Sequence, residues 1–182
     1  MDEAVDDRDL RDVLWARVSQ VLGRDNQPTG NPQWKLVHPA RQRETMLYLR
    51  CQMCAGRAKT GAGTLFLETA DAGDVNGLSG PIRTAQPPVC LEHARMAAER
   101  CPHLMREGHV ALLATRCPLF GVIGTPYRFG RTGPEALAGD DVPVPYGDPR
   151  LRWFLASQLV RELRQYQVVD LRDLTPIRRR AA

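Results

Sequence analysis

Two short pairs of residues in this sequence have the chemistry of metal ligands. Cys51 and Cys54 are separated by two residues, and so are Cys90 and His93. Thiolates and imidazoles are ligands that Zn²⁺ prefers, and this spacing lets one turn present both members of a pair to the same ion. The sequence therefore predicts one structural zinc ion held by Cys51, Cys54, Cys90 and His93.

Further ligating side chains follow, namely Cys101, His103, His109 and Cys117. Their types suit a second zinc ion, but their spacing is irregular. Cys101 lies eleven residues beyond Cys90, which on a helix is about 16 Å along the axis, so it is too far away to share the first site. A second metal site remains an alternative to buried cysteines and a His103 that complements a helix end.

The elements that must position the first four ligands can be read from the flanking residues. Gly56 follows the first pair and is expected to supply the positive φ of a tight turn. A helix is predicted from Val89 to Arg100, before Pro102, with Cys90 and His93 on one face of its first turn. Strands are predicted between the two pairs, at Thr64 to Glu68 in particular.

A cysteine turn, then strands, then a helix whose first turn completes the site is an order that resembles the treble-clef zinc fold. The resemblance covers roughly residues 50–100 and implies a structural Cys3His site at the same four ligands. Treble clefs include HNH-type nucleases, which carry a catalytic histidine between the ligand pairs. No histidine lies between Ala55 and Val89, which argues against nuclease chemistry.

Zinc deaminases are a second comparison, and they need a His-x-Glu upstream of their cysteine pair. In this chain His38 is followed by Pro39 and Ala40. The glutamate that would move the proton is therefore missing.

Positive charge gives a second, less specific signal. The formal net charge is +4, but only two of the 25 basic residues are lysines, a bias typical of a GC-rich bacterial genome, so charge alone is modest evidence for nucleic-acid binding. The candidate nucleic-acid or partner-binding residues are Arg41, Arg43, Arg57, Lys59, Arg161 and Arg164.

The rest of the chain gives an α+β prediction in which short antiparallel strands surround the zinc site. An amphipathic N-terminal helix is expected from Arg8 to Leu22, and a C-terminal helix after the N-cap Asp148 and Pro149, with an apolar stripe. The predicted strands are Gln33–Val37, Thr45–Arg50, Thr64–Glu68, a hairpin of His109–Thr115 with Leu119–Thr125, and an edge strand at Val168–Leu171.

Three segments are expected from these elements. Residues 1–32 form the N-terminal helix and connector, residues 33–130 the zinc-binding core, and residues 131–182 an irregular loop and the C-terminal helix. Gly121 and Gly124 indicate a bulge or a close approach of backbones.

The sequence also indicates the cellular compartment and the general class of function. No stretch is long and apolar enough to span a membrane, the acidic start does not resemble an export signal, and five cysteines suit a reducing cytoplasm as ligands or free thiols. We expect a zinc-stabilised cytoplasmic protein that binds DNA or a protein partner, such as a regulatory factor of a bacterium or of its mobile elements.

Three alternatives stay open at this point. The first is an enzyme with its site away from the zinc, near His38, His103 or His109 with Glu44 or Glu107. The others are a redox-sensitive zinc switch and a subunit of a larger assembly, for which an exposed apolar patch is expected. The partner and the oligomeric state are not determined by the sequence.

Overall fold

The computed structural model describes residues 3–17, 23–24, 29, 37–70 and 80–174. Within these ranges the chain is a mixed α/β protein with few helices. Two short 3-10 helices lie at Val5–Asp7 and Pro149–Trp153. The other elements, in chain order, are β1 (Leu14–Trp15), α1 (Pro39–Tyr48), β2 (Thr64–Thr69), β3 (Ile82–Thr84), α2 (Leu91–Arg100), α3 (Pro102–Glu107), β4 (His109–Arg116), β5 (Leu119–Gly130), β6 (Gly133–Ala136), β7 (Val144–Pro145), β8 (Phe154–Leu163) and β9 (Gln165–Val169). No helix in the described ranges is both long enough and apolar enough to cross a membrane.

The chain divides into two compact units, each assembled from two separate stretches. Unit 1 comprises Met1–Arg43 and Gly121–Leu159, and unit 2 comprises Glu44–Phe120 and Val160–Ala182. The boundaries fall inside α1, β5 and β8. This division differs from the three consecutive segments expected from the sequence.

A three-stranded antiparallel sheet in unit 2 has the order β2-β4-β9. β2 is buried on both faces. Its Leu65 and Leu67 pack in a cluster that includes Cys51, Val89 and Ala94. Phe66, on the opposite face, packs in a second cluster with Leu112 and Leu163. The sheet therefore separates two apolar layers, one of which contains the first predicted zinc ligand.

The second sheet has the order β1-β8-β5-β6, with β3 also pairing with β8 and β7 with β5. Two glycines in β5 allow close backbone contacts within unit 1. A Cβ at Gly121 would lie 1.9 Å from the Val144 oxygen, and one at Gly124 would lie 2.1 Å from the Leu155 oxygen. The close approach predicted for these glycines is confirmed.

Several predicted elements are confirmed. β2, α2, β4, β5 and β9 lie close to the positions expected from the sequence. The strand predicted at Gln33–Val37 lies almost wholly outside the described residues.

Five predictions about the layout are wrong. The described part of the predicted N-terminal helix contains β1 instead, and residues 18–22 lie outside the description. Residues 45–50, predicted as a strand, form the end of α1 and the turn after it. The predicted hairpin is absent because β4 pairs with β2 and β9, whereas β5 belongs to the other sheet.

The predicted C-terminal helix is reduced to the 3-10 helix that precedes β8. The Asp148 side chain caps it as predicted, accepting from the Arg150 N–H at 2.9 Å. The chain then extends into β8. The region predicted to be irregular, residues 131–146, contains β6 and β7.

Candidate metal centre

The first ligand pair lies on a tight turn in unit 2, shortly after α1. Arg50 and Arg57 form an antiparallel β-bridge across the base of the turn. Above the bridge, the Cys51 N–H donates to the Gly56 carbonyl at 2.7 Å. The turn is thus closed by its own backbone hydrogen bonds, which fix the positions of Cys51 and Cys54.

The two residues after Cys54 have roles that differ from the prediction. The residue with positive φ is Ala55, at 53°, and not Gly56. Gly56 provides space instead, because a Cβ there would make a tight contact of 3.2 Å with the Cys54 Sγ. The glycine leaves room for a ligand sulfur, while the alanine adopts a conformation that costs an L-residue about 1–2 kcal/mol.

The second ligand pair lies at the start of α2. Cys90 is the N-cap residue, with extended backbone angles, and its carbonyl accepts from the Ala94 N–H at 2.9 Å. His93 is in the first turn of the helix. The Cys90 Sγ and the His93 Nδ1 are 3.0 Å apart, so the helix start places both donor atoms side by side, as predicted.

Backbone hydrogen bonds hold the two pairs against each other. The Gln52 N–H, inside the cysteine turn, donates to the Pro88 carbonyl at 3.0 Å. The Val89 N–H donates to the Leu65 carbonyl of β2 at 2.9 Å. The segment that leads into α2 is therefore attached both to the turn and to the central sheet of unit 2.

The four predicted ligands come together in the structure. One donor atom from each of Cys51, Cys54, Cys90 and His93 lies within 4.8 Å of all the others. Their exposure is graded, since Cys51 is fully buried, Cys90 and His93 are half-buried and Cys54 is exposed. These four residues are positioned to bind a metal ion.

The electrostatics of the cysteines also favour a cation. Burial alone would raise the pKa of the Cys51 thiol, but the N–H groups of Cys90, Cys54 and Met53 donate to its sulfur and lower that pKa below the usual value. For Cys90, burial together with the charges of Cys51 and Cys54 raises the pKa to about 11. Thiolates packed this closely repel one another, and a bound cation would remove that repulsion.

The segment between the ligand pairs matches the treble-clef order only in part. The cysteine turn, the strands and the helix follow one another as predicted. However, β2 pairs with β4, and β3 pairs with β8, so these two strands do not form a hairpin together.

The second ligand group, which the sequence offered only as an alternative, does not assemble. In the described part of the chain, the first cluster is the only group of three or more metal-ligating side chains within such distances. Cys101 lies between α2 and α3, and the His103 Nδ1 is 3.5 Å from an Arg106 nitrogen. Cys117 is half-buried, and burial raises the pKa of its thiol.

Among the predicted binding residues, Arg161 proves to be a structural group. It is 8% exposed, and its guanidinium donates to the carbonyls of Met46 at 2.8 Å and Leu47 at 3.0 Å, and to that of Cys117. It thereby satisfies the last carbonyls of α1. The sequence predicts Arg161 on a binding surface. The structure corrects this, because the guanidinium is buried and its N–H groups already donate to carbonyls inside unit 2.

The other predicted cations are more exposed. Arg164 forms an ion pair with Glu162 at 2.6 Å, and the guanidinium of Arg43 lies over the Trp15 ring at 4.8 Å in unit 1. Arg41 is exposed at the start of α1. Arg57 and Lys59 are exposed beside the cysteine turn.

The structure does not gather the histidines proposed for an enzyme site. A groove of about 810 Å³ in unit 2, lined by parts of α2, β4 and β9, includes His109 and Asp170, but His103 lies on α3. The Arg172 guanidinium and N–H hold the pKa of Asp170 at about 2. The two candidate acids are ion-paired elsewhere, Glu44 with Arg50 and Glu107 with Arg106.

One ionisable group that the sequence analysis missed is Glu68. It is 8% exposed on β2 and accepts a hydrogen bond from the Thr84 hydroxyl of β3. Burial raises its pKa to about 7. A glutamate within the apolar strand Thr64–Thr69 was the signal that could have revealed it.

Comparison with known proteins gives no family for this chain. No protein-family model matches it, and no curated protein or solved structure matches it either.

Proposed function

We propose that this chain is a zinc-stabilised cytoplasmic binding protein that acts by associating with DNA or with a protein partner. The observation that carries the proposal is the four-residue cluster of Cys51, Cys54, Cys90 and His93.

The donor set fits zinc. Three thiolates and one imidazole form a soft, tetrahedral set of the kind that selects Zn²⁺. With Zn–S bonds of about 2.3 Å, tetrahedral geometry separates two sulfurs by about 3.8 Å, and the donor atoms here lie within 4.8 Å of one another. The order of turn, strands and helix supports a treble-clef-like arrangement, although the pairing of β2 and β3 departs from it.

A structural role is favoured over a catalytic one. Four protein ligands leave no coordination position for water or substrate. Cys51 also belongs to a hydrophobic cluster with residues of β2, α2 and β4, so a bound ion would connect the turn to the core of unit 2. Metal-binding free energy at such a site contributes directly to folding.

Binding of a partner is therefore favoured over catalysis as the function of this protein. The groove near His109 is lined by no second histidine and by neither Glu44 nor Glu107, the acids expected of the enzyme site. A cytoplasmic location suits free cysteine ligands, which oxidation would otherwise remove. A regulatory factor of a bacterium or of its mobile elements fits this description.

The test is the metal content of the purified protein. Elemental analysis should find about one zinc per chain in the wild type and much less in Cys54→Ser and His93→Ala. Cys101→Ser is the matched control, because Cys101 lies outside the cluster, and it should retain the metal. Absence of zinc from the wild type, or equal zinc in all four proteins, would refute the proposal.

A protein-level readout should accompany the metal analysis. Removal of zinc by a chelator is expected to lower the unfolding temperature of the wild type, since the ion is predicted to stabilise unit 2. Unchanged unfolding after complete zinc removal would contradict a structural role.

A further inference from the structure

A short two-stranded ribbon beside the cysteine turn has one exposed side. Arg50 and Arg57 form its β-bridge, and the Ala58 N–H donates to the Leu49 carbonyl at 3.2 Å. Burial alternates along it: Ala58 is buried and Leu49 half-buried, whereas Arg50, Arg57 and Lys59 are exposed. The ribbon therefore directs its apolar residues inward and its cations outward.

Most of the positive charge on this side is not neutralised. Arg50 forms an ion pair with Glu44 at 2.8 Å. For Arg57 and Lys59, the described residues contain no acidic partner, and the same holds for Arg116, which is exposed at the end of β4. Lys59 lies near the end of β4 that carries Arg116, because Lys59 bridges to Thr64 and Thr64 pairs with Ala114, two residues before Arg116.

An exposed aromatic side chain stands at the edge of these cations. Tyr48, the last residue of α1, is 64% exposed. The guanidinium of Arg50 lies 5.5 Å from the centre of its ring. A ring held beside cations and open to solvent is the arrangement on which an unpaired base stacks.

We propose that this face, formed by Tyr48, Arg50, Arg57, Lys59 and Arg116, binds single-stranded nucleic acid. The inference rests on the proposed function and specifies its partner. The cations would contact phosphates, and Tyr48 would stack on a base. A duplex offers the same phosphates but hides the faces of its bases, so the exposed tyrosine favours a single strand.

The experiment measures binding of the full-length, zinc-loaded protein to a fluorescein-labelled 20-nucleotide single strand of mixed sequence by fluorescence anisotropy. Each phosphate contact with a single strand contributes about 0.7 to the slope of log binding constant against log salt concentration. Arg57→Gln/Lys59→Gln removes two such contacts, so this slope should fall by about 1.4. At about 0.1 M salt, with about 1 M as the reference, that change weakens binding roughly 25-fold. Tyr48→Ser should weaken binding about fivefold or more, with little change in slope.

A matched control separates a local effect from one of net charge. Arg131→Gln/Arg152→Gln removes two charges from exposed arginines of unit 1, for which the described residues likewise show no acidic partner. This variant should bind the strand nearly as tightly as wild type. Equal weakening by the two double variants would overturn the assignment to this face.

Other outcomes are equally informative. The same assay is run with a fluorescein-labelled duplex of the same sequence. Equal affinity for this duplex and for the single strand, together with no effect of Tyr48→Ser, would overturn the single-strand proposal. Failure to bind any strand would also overturn it. Zinc content, measured on the same samples, distinguishes these results from failure of the proposed function, because loss of the face leaves one zinc per chain in place.

Discussion

The buried carboxyl of Glu68 should make the stability of this protein depend on pH. Its pKa is about 7 in the folded chain, against an ordinary value of 4.5. A raised pKa means that the folded state binds the proton more tightly, so the stabilisation is fully present below pH 4.5 and is lost as pH rises through 7. Between pH 5 and 8 the loss amounts to about 2–3 kcal/mol.

Glu68→Gln removes the titration but keeps the shape of the side chain and an oxygen that can accept from Thr84. Urea unfolding of wild type and variant should be compared at several pH values from 5 to 8, with zinc saturating in both. The difference in unfolding free energy between variant and wild type should shift by about 2–3 kcal/mol in favour of the variant as pH rises. Titration of the zinc ligands affects both proteins and cancels in this difference.

An exposed acid provides the control, since Glu99→Gln should give a curve parallel to that of the wild type. If the curves for Glu68→Gln and wild type are also parallel, the carboxyl does not titrate in this range. The argument from its burial would then be wrong.

Three further substitutions test individual contacts, the first by zinc affinity and the other two by urea unfolding. Gly56→Ala should reduce zinc affinity in a competition assay with little change in apo stability, because its Cβ would press on the Cys54 Sγ at 3.2 Å. Arg161→Met should lower stability by about 3 kcal/mol, since three carbonyls lose their donor, and an effect below 1 kcal/mol would contradict its structural role. Gln42→Leu should lower the unfolding free energy by about 2 kcal/mol, because the Gln42 amide donates to the Leu159 carbonyl at 2.9 Å and accepts from the Leu159 N–H at 2.8 Å. Arg41→Leu, on the exposed side of α1, is its control.

The candidate site was predictable from sequence because its geometry is local. Two residues separate the members of each ligand pair, so a single turn or a single helix start determines where both side chains point. The long-range step, which brings Cys51 and Cys90 together, depends on backbone hydrogen bonds of Gln52 and Val89. No residue type in the sequence reveals those bonds.

The segment at the end of α1 shows why a strand was predicted where a helix lies. The buried positions of this helix are Gln42, Thr45 and Met46, at helical spacing. Two of the three are polar, so the apolar period of a helix is hidden. What remains visible is the alternation of residues 45–50, which indicates a strand.

β8 was predicted as a helix for the opposite reason. Its apolar residues satisfy helical spacing, but the strand lies inside a sheet and is buried along most of its second half. A strand buried on both faces has a nearly continuous apolar sequence, which periodicity alone does not distinguish from a buried helix. At the N-terminus, the Asp9 carboxylate accepts from the N–H groups of Arg11 and Val13, a local pattern that competes with helix formation.

The two close-packed glycines of β5 have an evolutionary consequence. The metal ligands of a protein can be exchanged for others, or lost when another interaction stabilises the fold instead. A side chain at Gly121 or Gly124, in contrast, would overlap backbone atoms at about 2 Å. Substitution there requires the strands themselves to move. Distant relatives of this chain should therefore retain the Gly-x-x-Gly of β5 even where the cysteines have diverged, and that spacing, combined with Cys-x-x-Cys-Ala-Gly, is the pattern by which they can be recognised.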